Sequence, residues 1–217
     1  MKIAIIGAGN VGRALVTLFS RAGHEIVVTS RDRQHATDLA ATAARVTAAP
    51  SPRAAAEGAD VVVLAVPFAS AAEVAESIRS VVAGKAVVDV SNRMSFGANG
   101  AEMDTSTSNA EELATLLPEA HVIKAFNTLF ASSQVDPNLE GVTLDGFVAG
   151  DDDAAKVSVL ELVESIGLNP VDVGPLVRAR QLESLAFLNI ALQIANNGRW
   201  QSGWKLVGAP ATVPVAA

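Results

Sequence analysis

The chain has 217 residues, 16 Lys and Arg against 23 Asp and Glu, half of them apolar and only 4% aromatic. The absence of Cys excludes a disulfide scaffold, a thiolate zinc site and a Cys nucleophile together, and the length allows one ordinary domain with a small appendage. Residues 1–110 hold ten basic and ten acidic side chains and residues 111–217 six and thirteen, so neither half has the basic footprint of a nucleic-acid binder. No apolar run approaches the roughly 18 residues of a membrane span. Gly7, Gly9, Asn10 and Arg13 interrupt the apolar N-terminus before it could act as a signal peptide. A cytoplasmic location is expected, with neither nucleic acid nor membrane as partner.

Ile3 to Ile6 is a continuous apolar run ending in Gly, which predicts a strand buried on both faces. Val11, Leu15, Leu18 and Phe19 follow at helical spacing, closed by Gly23. Glu25 to Thr29 is β-branched and reads as a second strand, Gln34 to Ala44 as an Ala-rich helix, and Arg45 to Ala48 as a short third strand. After Pro50 and Pro52 come a short helix at Ala54 to Gly58, a strand at Asp60 to Val66, a helix at Phe68 to Val82 and a strand at Lys85 to Val90. This alternation predicts an α/β fold with a doubly wound parallel sheet and a small C-terminal α/β part, divided as 1–150 and 151–217.

Residues 93–108 are rich in Ser, Gly, Asn and Thr without periodicity and read as a long mobile loop. A helix is expected at Ala110 to Leu117 with Asn109 as its cap, and a strand at Val122 to Phe126. Beyond a loop around Pro137 come a strand at Gly146 to Ala149, a helix from Asp152 to Ile166 ended by Gly167, and a short strand at Val171 to Val173. A long helix from Arg178 to Asn196 is apolar on more than one face, which predicts a homodimer interface or packing within the chain. Pro210 to Ala217 is a biased tail.

Gly7-Ala8-Gly9-Asn10-Val11-Gly12 is G-x-G-x-x-G at the junction of the first strand and first helix. Gly7 suits a tight turn, Gly9 a close approach of backbone to pyrophosphate, and Gly12 close packing of helix on strand; the helix N-terminus faces the anion with free N–H groups. The position after strand and before helix is what makes the short pattern informative. At the end of the second strand a carboxylate would bind the ribose 2′-hydroxyl, but this chain has Ser30-Arg31, a hydroxyl and a guanidinium suited to a 2′-phosphate. Arg33 and His35 would add positive potential; Asp32 would take the acid's part if the strand ran two residues longer. NADP(H) is the expected cofactor. Ala65-Val66-Pro67 and Asn92 end the fourth and fifth strands on the carboxyl edge, where the nicotinamide half would lie.

His24, His35 and His121 lack metal-ligand spacing and read as surface or capping residues. Asp151-Asp152-Asp153 precedes a helix, where carboxylates favour the positive end of the dipole. No metal site and no catalytic acid–base pair is legible. Nicotinamide binding without such a pair suits direct hydride transfer to an acceptor that is itself a redox cofactor.

With these residues in view, the chain resembles the NADP oxidoreductases that depend on coenzyme F-420, a deazaflavin. The resemblance runs through Gly7 to Gly12, Glu25 to Arg31, Lys124-Ala125-Phe126-Asn127-Thr128, Gly150-Asp151-Asp152 and Val171 to Leu176, then Arg180, Glu183, Asn189 and Lys205. It implies hydride transfer between NADPH and the deazaflavin, a homodimer, and nucleotide binding by Gly7, Ala8, Gly9, Asn10, Val11, Gly12, Ser30 and Arg31. Asn127 and Thr128 would flank the nicotinamide. Where the archaeal deazaflavin enzymes carry a His, this chain has Asn127, similar to the NADPH-binding domain of membrane ferric reductases, and residues 197–204 also differ from those that meet the deazaflavin. A flavin or another small redox acceptor, or a non-catalytic NADP-binding module, are therefore the alternatives. Arg93, Arg178, Arg180, Arg199 and Lys205 are candidate cations for an anionic acceptor tail, and Trp200 and Trp204 candidate walls of its pocket.

Overall fold

The computed structural model describes residues 1–97, 100–132 and 136–208. In chain order the elements are β1 (Lys2–Ile6), α1 (Asn10–Arg21), β2 (Glu25–Thr29), α2 (Arg33–Ala41), β3 (Val46–Ala48), α3 (Pro52–Glu57), β4 (Val61–Leu64), α4 (Phe68–Ile78) and β5 (Ala86–Asp89). They continue with β6 (Met94–Gly97), β7 (Gly100–Met103), α5 (Asn109–Leu116), β8 (His121–Ala125), β9 (Asn138–Leu139), β10 (Val142–Thr143) and β11 (Asp145–Gly150). The chain closes with α6 (Asp153–Ser165), β12 (Asn169–Asp172) and α7 (Ala179–Ala195).

Eight strands form one sheet in the order β12-β11-β8-β5-β4-β1-β2-β3. From β3 to β8 every pairing is parallel, whereas β11 runs antiparallel to β8 and carries β12 parallel to itself. The expected fold class is thus observed, with an antiparallel extension at one edge. The strand order reverses between β1 and β4, and such a switch point opens a crevice at the carboxyl ends of the strands.

The apolar strands are sequence-continuous because both faces are covered. Ile3, Ile5, Val61, Val63, Val88 and Ile123 pack with Leu15, Phe19, Leu39, Val159 and Leu162 from α1, α2 and α6. Ala4, Ile6, Val62, Leu64, Val87 and Val122 face the other way, against Ala55, Ala75, Ile78 and Leu113 from α3, α4 and α5. Alternation of side chains along each strand sends neighbours to opposite layers.

Two expectations need correction. The stretch 93–108 is not an unstructured loop, because β6 and β7 pair antiparallel within it. Residues 98 and 99 of this stretch lie outside the described residues. The cap of α5 is Ser108, not Asn109: Ser108 Oγ accepts from Glu111 N at 3.2 Å while the Glu111 carboxylate accepts from Ser108 N at 3.0 Å. That reciprocal arrangement satisfies two otherwise free N–H groups and releases the Asn109 side chain for the interior. The long helix expected from Arg178 to Asn196 is observed over Ala179–Ala195 with those two residues as its caps, following a 3-10 turn at Leu176–Arg178. The tail from Pro210 to Ala217 lies outside the described residues.

Candidate active site

The glycine turn forms as its spacing predicts. Gly7 has φ +117°, and a Cβ there would stand 2.1 Å from the Ala65 carbonyl oxygen, so no other residue fits between the ends of β1 and β4. A Cβ on Gly12 would stand 2.0 Å from the Gly7 carbonyl oxygen, which is the close helix–strand approach expected of the third glycine. Gly9, the N-cap of α1, has nothing within 4 Å of its missing Cβ. The space beside it, at a helix N-terminus, is therefore free for an anion to approach closely. Arg13 Nε donates to the Ala8 carbonyl at 3.0 Å and braces the turn from inside α1.

A cleft of about 500 Å³ runs from this turn across the sheet edge, lined by Gly7, Gly9, Ser30, Arg31, Val66 and Pro67 among others. Its far end opens on a rim formed by Ser30, Arg31, Asp32, Arg33 and His35. Strand β2 ends at Thr29, and Asp32 is committed elsewhere: its Oδ1 caps α2 by accepting from Gln34 N at 2.9 Å. Asp32 therefore does not stand at the strand end in place of Ser30 and Arg31. Among the described residues no carboxylate pairs with the Arg31 or Arg33 guanidinium. Two free guanidinium groups beside a helix cap suit a dianionic group such as a 2′-phosphate.

On the other side of α1 a second cleft of about 280 Å³ is lined by Asn10, Val11, Asn92, Asn127, Thr128 and Trp200 among others. Asn92 and the adjacent pair Asn127-Thr128, separated by 35 positions from Asn92 to Asn127, thus meet beside the glycine turn. Phe126 turns the chain at the end of β8 with φ +61°, a strained conformation for an aromatic residue. Burial of its ring edge-on to Phe19, 5.8 Å between centroids, holds it there. The turn brings Asn127, only 5% exposed, against α7, where its Nδ2 donates to the Leu182 carbonyl at 3.0 Å and to Asn92 Oδ1 at 2.8 Å.

Beneath this cleft lies a buried charge cluster that sequence reasoning did not assemble. Lys124 is 0% exposed, and its Nζ donates to Asp89 Oδ2 at 2.7 Å, Glu183 Oε1 at 2.7 Å and the Ser91 carbonyl at 2.5 Å. Asn109 joins it, Nδ2 donating to Asp89 Oδ1 at 3.0 Å and its backbone N to Glu183 Oε1 at 2.9 Å. Ser91 N donates to Asp89 Oδ1 and Arg93 N to Glu183 Oε2. Every carboxylate oxygen is satisfied, as burial of charge requires. The cluster ties β5, β8, α5 and α7 together. Its only sequence signal was a Lys inside an otherwise apolar strand.

Three of the five candidate cations are already neutralised. Arg93 pairs with Glu112 and with Asp104 at 3.3 Å, Arg180 with Glu111 at 2.7 Å and Lys205 with Asp145 at 2.7 Å. The Arg180 guanidinium, by its hydrogen bonds, holds the Glu111 carboxyl below its ordinary value; burial opposes this and the Ser108 hydroxyl assists. Trp200 lines the cleft and meets Phe130 edge-on at 5.2 Å. Trp204 instead packs against the cluster of Phe147, Val171 and Leu182 and anchors the tail. The histidines behave as flanking groups: His24 Nε2 lies 3.0 Å from Ser165 Oγ and His121 3.4 Å from Asp152. Asp152 caps α6 by accepting from Ala155 N at 2.8 Å, and Asp151 accepts from Leu176 N at 2.8 Å. Among the described residues no group of acidic or His side chains could hold a metal ion.

Residues 2–93 match the family described as NADP oxidoreductase, coenzyme F420-dependent. The F420-dependent NADP reductase of Methanothermobacter thermautotrophicus is 33% identical over an alignment covering 97% of this chain and 96% of that protein. The chain belongs to this family. It is an NADP-dependent oxidoreductase with a Rossmann-like fold. A crystal structure from Arthrobacter sp. FB24, provisionally described as an F420-dependent NADP reductase, superposes with a TM-score of 0.82 at 32% identity, over 91% of this chain and 96% of that one. Metalloreductase STEAP3 of Rattus norvegicus is 32% identical over 85% of this chain, but the chain spans only 36% of that protein's length. No helix among the described residues of this family member is long and apolar enough to cross a membrane.

Proposed function

We propose that this family member transfers hydride between NADPH and a deazaflavin, coenzyme F-420, bound in the cleft beside α7. The observation that carries the reading is the continuity of features along the sheet edge. The Gly7–Gly12 turn lies between a rim with two unpaired guanidinium groups and a cleft containing Asn92, Asn127 and Thr128. In this reading Gly7, Ala8, Gly9, Asn10, Val11 and Gly12 hold the pyrophosphate at the N-terminus of α1. Ser30 and Arg31, with His35 adding positive potential, hold the 2′-phosphate. Val66, Pro67 and Asn92 shape the floor for the nicotinamide half, and Asn127 and Thr128 flank it. NADPH supplies the hydride when bound. The side chains around the cleft would align the two rings, and the proton that accompanies the hydride in reducing the deazaflavin would come from solvent at the cleft mouth, so no metal of the protein is required.

The division into an NADP-binding part, 1–150, and a part contributing to the acceptor pocket and subunit contact, 151–217, belongs to the same reading. So does a homodimer formed through α7, on which Leu188, Leu192 and Ile194 are about half exposed. A cytoplasmic site of action fits this chemistry. One observation favours a second acceptor: Arg93, Arg180 and Lys205 are held in ion pairs, leaving fewer cations for a polyanionic tail. A flavin, or another small acceptor with less charge, is the alternative. Anaerobic NADPH oxidation with coenzyme F-420, FMN and FAD offered separately tests both. Selective reduction of the deazaflavin supports the first reading, and turnover with flavin alone supports the second. Tight NADPH binding with no turnover of any would overturn both and leave a binding module.

A further inference from the structure

Asn127 Oδ1 is a buried acceptor with no hydrogen-bond partner, whereas the other edge of the same amide is fully engaged. An unmatched buried oxygen is costly enough to call for a reason. The amide cannot relieve it by flipping, because the Leu182 carbonyl only accepts and would then face a second acceptor. Asn92 reinforces the polarity: its Oδ1 takes the Asn127 amide proton while its Nδ2 donates to the Asn127 backbone carbonyl at 3.3 Å. Both partners are held by the buried charge cluster. Asn92 lies between Ser91 and Arg93, whose backbone groups bond Asp89, Lys124 and Glu183, and Leu182 precedes Glu183 on α7. The free oxygen belongs to a residue lining the cleft that begins at Asn10 and Val11 of the glycine turn.

We infer that Asn127 Oδ1 accepts a hydrogen bond from the carboxamide N–H of the nicotinamide, and that Asn92 and the Asp89–Lys124–Glu183 cluster are positioning residues that fix this polarity. The inference deepens the proposed function, since it rests on the nicotinamide lying in this cleft. Anchoring the carboxamide fixes the rotation of the ring about its glycosidic bond and so decides which face meets the acceptor.

The test compares equilibrium binding of NADP⁺ with that of its 3-acetylpyridine analogue, which replaces the amide NH₂ by a methyl group. Wild-type protein is expected to favour NADP⁺ by about tenfold or more, because the analogue leaves a buried acceptor unmatched. Asn127→Leu should narrow the ratio to about twofold, mainly by weakening NADP⁺, while retaining preference for NADPH over NADH at the other end of the site. A purely structural role would weaken both ligands and leave their ratio unchanged. If Asn127→Leu fails to fold, Asn92→Ala, which releases the amide to rotate, should lower the same ratio. Equal wild-type binding of the two ligands overturns the inference while leaving the NADP reading intact, as does a ratio that survives Asn127→Leu. Failure of wild-type protein to bind NADP⁺ at all overturns the underlying reading instead.

Discussion

Replacing Lys124 by Met is the sharpest test of how the C-terminal helix is held to the sheet. Met retains most of the buried apolar stem but leaves Asp89 and Glu183 facing each other without a cation, in a site where Lys124 and Asp89 are 0% and 1% exposed. Breaking a buried pair by deleting one partner costs about 3–5 kcal/mol, and here two carboxylates lose their counter-ion at once. A loss of about 4 kcal/mol, with a urea m-value of about 2 kcal/mol/M, corresponds to a fall of about 2 M in the unfolding midpoint. Glu183→Gln should cost less, because Lys124 keeps Asp89 and the Ser91 carbonyl as partners. The double variant should lose less than the sum of the two by at least about 1 kcal/mol, the coupling expected of groups in direct contact. Urea titration followed by far-UV circular dichroism reads all three. A midpoint shift under about 0.5 M for Lys124→Met, or strict additivity in the double variant, would refute the picture of one dry, coupled cluster.

Arg31→Ala should weaken NADPH by about 10- to 100-fold while changing NADH by less than about threefold, read by equilibrium titration; equal losses would mean that Arg31 does not meet the 2′-phosphate. Gly9→Ala should fold with a melting temperature within a few degrees of wild type and yet lose NADPH binding, because its new Cβ enters only open space in the free protein. Gly12→Ala should instead lower the melting temperature markedly, since that Cβ meets the Gly7 carbonyl at 2.0 Å. Glu111 has a folded pKa below its ordinary value of 4.5, so its contribution to stability is complete above that value and is lost as pH falls through the lower folded value. The stability gap between wild type and Glu111→Gln should therefore be constant near neutral pH and close in strong acid. A gap unchanged in urea titrations down to pH 3 would show that the Arg180 contact does not act through the ionised carboxylate.

The parallel half of the fold was legible because its signals are local. A strand buried on both faces must be continuously apolar, and the glycine pattern Gly7 to Gly12 is visible within six residues, although the contact that forbids a Cβ on Gly7 is with Ala65 of a distant strand. The position of Ser30-Arg31 just past a strand end was readable for the same cause: β-branched residues set the end of β2 at Thr29. Less visible were features that depend on partners distant in sequence. Strands β6 and β7 alternate apolar and polar residues only over Met94-Ser95-Phe96 and Ala101-Glu102-Met103, runs too short to stand out from a stretch rich in Ser, Gly, Asn and Thr, and Ser108 displaced Asn109 as cap because the Asn109 amide is drawn into a cluster with Asp89, 20 residues away.

Neighbouring residues were enough to place the alternating strands and helices of a parallel sheet and the glycine turn, whereas the order of the strands came from the fold. The packing of distant elements fixes which cations remain free, why a Lys can sit inside an apolar strand, and which edge of the Asn127 amide is left without a partner. Those outcomes depend on the energy of burying charge and of leaving polar groups unmatched. Both are settled only when β5, β8, α5 and α7 close on one another.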